Sequence, residues 1–191
     1  DDYTVSRTAV GDLIEGGREE VVIGSGDLVG PLNMYEWQAG EWVKTTLFER
    51  VDHGHTLEIG DVNGDGHLDI YTAEMHSPGT GEQCKQWVLY GNGKGQFKQQ
   101  LISVGTGTHE GRLGDLDGDG DLDVLQKDFN YQRRITVWLN NGVAVEKGKV
   151  RIADCRWYRT GPHFKVVTGN ATFFIEKSSG GITSMFDKDG N

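Results

Sequence analysis

The segment GDVNGDGHLDIY, Gly60 to Tyr71, returns 54 residues later as GDLDGDGDLDVL, Gly114 to Leu125. Each copy sets acids at every second position, with Asn63 and His67 standing in for two of them in the first, places glycines between, and then turns apolar. Like charges this close repel unless a cation sits among them. The copying extends past the turn: HTLEIGD from His55 aligns with HEGRLGD from His109, and LDIYTAEM from Leu68 with LDVLQKDF from Leu122. A worn copy lies earlier, VGDLIEGGREEVVI from Val10, with Asp12 at the place of Asp61 and an offset of 49. Repeats at such a period signal propellers, solenoids or arrays.

Each copy continues with more runs of strand character. LNMYEW and WVKTTLFE follow the first turn, QWVLYG and QFKQQLIS the second, and RITVWLN the third. The runs are short, rich in β-branched and aromatic residues, and bounded by Gly or Asn. No stretch keeps a 3.6-residue period, so almost no helix is expected. The 29 glycines and 3 prolines suit an all-β chain with many tight turns. Four antiparallel strands in a unit of about 50 residues is the plan of a β-propeller blade.

The core GD-x-[ND]-G-D-G-x-x-D between apolar strands resembles the FG-GAP or VCBS repeat family, the integrin-α-type propeller. The resemblance runs from about Thr4 to Val143, strongly in two copies and weakly in the first. The expected fold is all-β: about three four-stranded blades over residues 1–147, then a β-rich segment over 148–191. Propellers close with roughly 4–8 blades. The chain therefore reads as a fragment of a larger ring, completed by the rest of a longer chain or by other copies.

The turns themselves point to calcium. Asp61, Asn63, Asp65 and Asp69 offer side-chain oxygens and His67 its carbonyl. The second turn offers Asp115, Asp117, Asp119 and Asp123 with the carbonyl of Asp121. Hard oxygen donors in a flexible ring favour Ca²⁺ over Mg²⁺, which holds to a stricter octahedron. Two calcium sites are expected, each clamping a turn between strands. An EF-hand needs a bidentate Glu at the twelfth position and flanking helices. Thr72 and Gln126 stand there within strand-like runs, which excludes it and a dockerin with it. In the first copy Ile14 and Gly16 replace two ligands, so no ion is expected.

If the acid turn closes one face of a blade, the residues before the first strand lie at the opposite rim. His55 and His109 precede their turns by the same spacing and take equivalent places there; Ser6 is the first-copy counterpart. The second strand returns to this rim with Glu74 and His76 in one blade and Lys127 and Asp128 in the next. His53 and Glu110 lie close by, and DFNYQRR adds Tyr131, Arg133 and Arg134. Such a mixture suits a hydroxyl-rich or anionic ligand. It also contains what a polysaccharide lyase needs, with His55, His109 and Tyr131 as candidate bases and Arg134 to neutralise a carboxylate. A His-rich rim is equally a place for a transition metal.

The tail beyond Val143 carries no further acid turn. HFKVVT, ATFFIEK and GITSMF read as strands, and GGITSMFDKDGN looks like the opening hairpin of β-sandwich domains in carbohydrate-active enzymes. Its Asp-Gly-Asn end reads as a chain cut within a hairpin. A net charge of −10 argues against a nucleic-acid partner, which needs clustered Lys and Arg. No run approaches the ~18 apolar residues of a membrane span. Cys84 and Cys155 allow one disulfide and decide nothing about compartment. The expected protein is a calcium-stabilised propeller module, secreted or at the cell surface, binding carbohydrate or protein at its channel rim. The alternative is the propeller part of a lyase or related carbohydrate-active enzyme.

Overall fold

The computed structural model describes residues 7–75, 83–128 and 135–140. It also gives the backbone of four later strands, on which Phe173 and Ile175 alone have described side chains. All regular structure among these residues is β. The first sheet is β1 (Arg7–Gly11), β2 (Glu20–Gly24), β3 (Val29–Gln38) and β4 (Glu41–Asp52). The second is β5 (Thr56–Gly60), β6 (Asp69–Ala73), β7 (Lys85–Gly91) and β8 (Phe97–Val104). The third is β9 (Glu110–Gly114), β10 (Asp123–Lys127) and β11 (Ile135–Trp138). A fourth comprises β12 (Arg151–Tyr158), β13 (Gly161–Val167), β14 (Ala171–Glu176) and β15 (Ile182–Asp187). Every sheet is an antiparallel meander whose strands pair in chain order. The first three are propeller blades, two with four strands and one with three among the described residues.

The repeat fixes how blades stack. In β1 and β5 the last residue is a glycine, and a side chain there would strike the next blade. A Cβ on Gly11 would lie 2.8 Å from Ile59 Cγ2 and 3.2 Å from Leu68 Cδ1. One on Gly60 would lie 2.7 Å from Leu122 Cδ1 and 3.3 Å from Leu113 Cδ1. Ile59 and Leu113 are repeat equivalents, as are Leu68 and Leu122, so one glycine notch serves both blade junctions. Close sheet-to-sheet approach is a recognised use of glycine.

Three apolar clusters mark the junctions. Leu13, Val22, Leu32 and Met34 of blade 1 pack with Leu57, Ile70 and Leu89 of blade 2. Val62, Tyr71, Ala73 and Val88 of blade 2 pack with Val124 of blade 3. Leu116 and Leu125 occupy the places of Val62 and Tyr71 one repeat on. They pack against Phe173 and Ile175 of β14.

The meander sends alternate turns to opposite ends. The acid turns and the β7–β8 hairpin share one end. The β2–β3, β4–β5, β6–β7 and β8–β9 connections share the other, which is the rim expected to carry the histidines. No helix among the described residues is long and apolar enough to cross a membrane.

Candidate functional site

Both acid turns begin with the same device. Asp61 Oδ1 accepts the N–H groups of Gly64 and Asp65, and its Oδ2 accepts Gly66 N–H. Asp115 does the same for Gly118, Asp119 and Gly120. The chain curls round the first carboxylate because Gly64, Gly66, Gly118 and Gly120 all adopt positive φ, between 72° and 94°.

The last acid of each turn has a second task. Asp69 Oδ2 accepts Val62 N–H at 2.8 Å, and its Oδ1 accepts Gly91 N–H at 2.9 Å, tying the turn to the end of β7. Asp123 repeats this with Leu116 N–H at 2.7 Å and Asn140 N–H at 2.8 Å. Both side chains are buried, and burial raises their pKa values against these bonds. Blade 1 keeps the device with a longer acid. Glu20 Oε2 accepts Leu13 and Ile14 N–H, both at 2.9 Å. Sequence reasoning passed over Glu20, although it aligns with Asp69 at the same offset of 49 that pairs Asp12 with Asp61. The final carboxylate is thus part of the fold even where Ile14 and Gly16 replace the polar residues of the other turns.

The two complete turns differ in exposure. Asn63 and Asp65 are exposed and bond to each other, Asn63 Nδ2 donating to Asp65 Oδ2 at 2.9 Å. The His67 N–H and then the Asn63 side chain hold the Asp65 carboxyl below its usual range. In the second turn Asp117, Asp119, Asp121 and Asp123 are all at most 5% exposed. Neither oxygen of Asp117 makes a well-formed hydrogen bond among the described residues, although the Asp119 N–H and carboxyl lie close enough to act on it. Burial, and then the Asp119 charge, raise its pKa. Asp115, Asp117 and Asp123 bring ligand oxygens within 4.8 Å of one another. Burying a carboxylate with neither a well-formed hydrogen bond nor a counter-charge is costly. An all-oxygen donor set around such a carboxylate fits a hard cation.

The worn first turn is put to a different use. Glu15 N–H donates to Gly93 O at 3.0 Å, and Ile14 forms an antiparallel bridge with Lys94. A Cβ on Gly95 would lie 2.8 Å from Ile14 Cδ1. The His67 ring bonds Glu15 at 2.7 Å. Ile14 stands where the other turns have Asn63 and Asp117, and it clasps the hairpin of blade 2 instead.

At the opposite rim the structure brings His55 and His109 together. Their rings stack with centroids 4.2 Å apart and planes 21° apart. His55 Nε2 lies 2.7 Å from Asp27 Oδ1, and its Nδ1 lies 2.8 Å from His109 O. Arg7 donates from Nε to His55 O at 2.8 Å and places a second nitrogen against the His55 ring. Glu110 sits 3.7 Å from Arg7 and 3.5 Å from Arg112, which also reaches Glu58 at 2.9 Å. Burial, followed by the nearby His55, pushes the His109 pKa down. This knot draws on all three blades.

Other rim residues are occupied in the fold. The Glu74 carboxylate accepts Asp52 and Lys85 N–H, each at 2.9 Å. His53 has a positive φ of 52° and bonds Asp52 Oδ1 at 2.5 Å. Lys127 is 8% exposed and pairs with Glu110 in the β9–β10 ladder. His76, Tyr131, Arg133 and Arg134 lie outside the described residues, as does the side chain of Cys155. Cys84 is buried just before β7, and burial raises its thiol pKa. Arg7, Asp27, Glu58 and Arg112 went unnoticed in the sequence. Glu58 and Arg112 are repeat equivalents of opposite charge, a signal that the alignment of HTLE with HEGR contains.

A stretch of 12–72 matches the family model of the FG-GAP-like repeat. The match spans the worn first turn, the remainder of blade 1, the first complete acid turn and the start of β6. The chain therefore carries an FG-GAP-type repeat, within a propeller-like module. Repeats of this type often bind calcium and occur in extracellular or surface proteins. No curated protein matches the chain.

Proposed function

We propose that the protein is a calcium-stabilised propeller module of a secreted or surface protein, binding carbohydrate or protein rather than catalysing a reaction. The observation that carries the cation is Asp117, a buried carboxylate that makes no well-formed hydrogen bond among the described residues, grouped with Asp115 and Asp123. Asp115, Asp117, Asp119 and Asp123 would hold one ion, with the Asp121 carbonyl. Asp61, Asn63, Asp65 and Asp69 would hold another, with the His67 carbonyl. The ion supplies positive charge and fixes the turn. It leaves the clamps of Asp69 and Asp123 in place, since an ionised carboxylate accepts about four bonds.

The channel rim supports binding more than chemistry. Both ring nitrogens of His55 are engaged, and the Glu74 carboxylate is taken up by backbone N–H groups. A general base must have a nitrogen or oxygen within reach of a substrate proton. Glu110, Arg112 and the partly exposed edge of His109 remain as the rim's contribution to ligand contact. The blades would occupy residues 1–147 and a second β-rich unit 148–191, with further blades from a longer chain or other copies closing the ring.

Calorimetric titration of the chelator-treated chain with calcium tests the cation. Two bound ions per chain are expected, one of them lost in Asp117→Ala. A titration without heat, or one that Asp117→Ala leaves unchanged, contradicts it. Incubation with uronate polymers, followed by the ultraviolet absorbance of an unsaturated product, tests the lyase alternative. No absorbance rise is expected.

A further inference from the structure

A cleft of about 470 Å³ opens at the acid-turn end of blade 2, away from the histidine rim. It lies between the first acid turn and the outer end of the β7–β8 hairpin. Asn63 and Asp65 form one wall; Tyr90, Asn92, Gln96 and Lys98 form most of the other. The size falls within the roughly 300–1,000 Å³ of small-molecule sites. We propose that this cleft is a subsite for a neutral saccharide unit of a glycan. The proposal does not require the turn to hold a cation.

The lining combines an aromatic side chain with amides. Tyr90 and Lys98 face each other across the ladder and so share one face of the sheet. Tyr90 is half-buried, whereas Asn92, Gln96 and Lys98 are exposed. The Tyr90 ring packs against the cluster of Val62, Val88 and Val124 and lines the cleft, and a tyrosine carries both a flat apolar body and a polar tip, the combination enriched where a ligand has both.

The amides are held in place. Asn92 Oδ1 accepts Lys94 N–H at 3.0 Å and Gln96 N–H at 3.3 Å, and Asn92 Nδ2 donates to Gln96 Oε1 at 3.0 Å. That chain of bonds settles which way each amide points and turns Gln96 Nε2 out as a donor. Preorganised donors and acceptors lower the cost of binding. Hydroxyl groups donate and accept, so they can use both kinds.

Charge narrows the ligand. Asp65 and Lys98 carry opposite charges at the cleft. With the turn empty, a phosphate or a uronate would meet one cation and be repelled by a carboxylate; with a cation held there Asp65 is compensated, and a neutral sugar is admitted in either state.

Saturation-transfer NMR and calorimetry on the full chain, with xylohexaose, cellohexaose and chitohexaose as probes, test the proposal. Alginate hexamer is run beside them. At least one neutral hexamer should bind, and Gln96→Ala and Tyr90→Leu should each weaken it about 3- to 10-fold, the scale of one such contact. Gln96 is exposed, so that variant keeps the reading free of folding defects. Failure of all three neutral hexamers to bind overturns the proposal. So does binding that Gln96→Ala and Tyr90→Leu both leave intact, or binding of the alginate hexamer alone.

Discussion

The rings of His55 and His109 stack 4.2 Å apart although they start different blades, 54 residues from each other in the chain. Repeat equivalents meet because the first strands of successive blades lie side by side. The same relationship pairs Glu58 with Arg112 at 2.9 Å. Contacts between equivalent positions are the mark of radial repetition, and they carry several consequences.

The histidine stack makes stability depend on pH. Burial and the His55 ring hold His109 neutral in the folded chain to a lower pH than in the unfolded one. The unfolded ring takes its proton near pH 6.5, so below that value protons favour unfolding. His109 therefore contributes stability that is complete above about pH 6.5 and declines as the pH falls, by at most about 1.4 kcal/mol per pH unit. Denaturant titrations at a series of pH values should show a shallower acid decline in His109→Gln than in the wild type.

Glu20→Ala should destabilise blade 1 whether or not calcium is present. It removes a buried carboxylate that accepts the N–H groups of Leu13, which is buried, and Ile14, which is partly buried. Leaving them unpaired costs roughly 1–3 kcal/mol each. Chemical denaturation in calcium and in chelator should give the same loss. For Asp123→Ala the loss should be larger in calcium than in chelator.

Among the glycines whose surroundings are described, Gly91 is the least able to accept a side chain. A Cβ there would lie 2.2 Å from the backbone oxygen of Leu68, which cannot move without shifting the acid turn. Gly91→Ala should cost at least the ~1–3 kcal/mol of an overpacked core. Gly17→Ala, whose Cβ would meet nothing closer than 3.9 Å, is the control and should unfold near the wild-type temperature.

Much of this architecture was legible from the repeat. The period located the blades, and the glycine-bounded runs became β3, β4, β7 and β8 nearly as read. The turns fell between strands because Thr72 and Gln126 lie within β-type runs. The sequence said less about side chains that cross between blades. Asp27 reaches His55, and Arg7 reaches both His55 and Glu110, through stacking that no local pattern encodes. Glu74 read as a rim ligand because it follows a strand; its two backbone N–H partners are Asp52 at the end of β4 and Lys85 at the start of β7. As strings of residues, the two complete acid turns are near-copies. Only packing separates an exposed Asp65 from a buried Asp119.

The most direct test is a thermal melt of the chain in millimolar calcium and in excess chelator, repeated with Asp117→Ala. The acid turns act as cation cages if calcium raises the midpoint by several degrees, as binding to the folded state alone requires, and if Asp117→Ala removes much of that rise. Equal midpoints in calcium and chelator for the wild type would contradict the account.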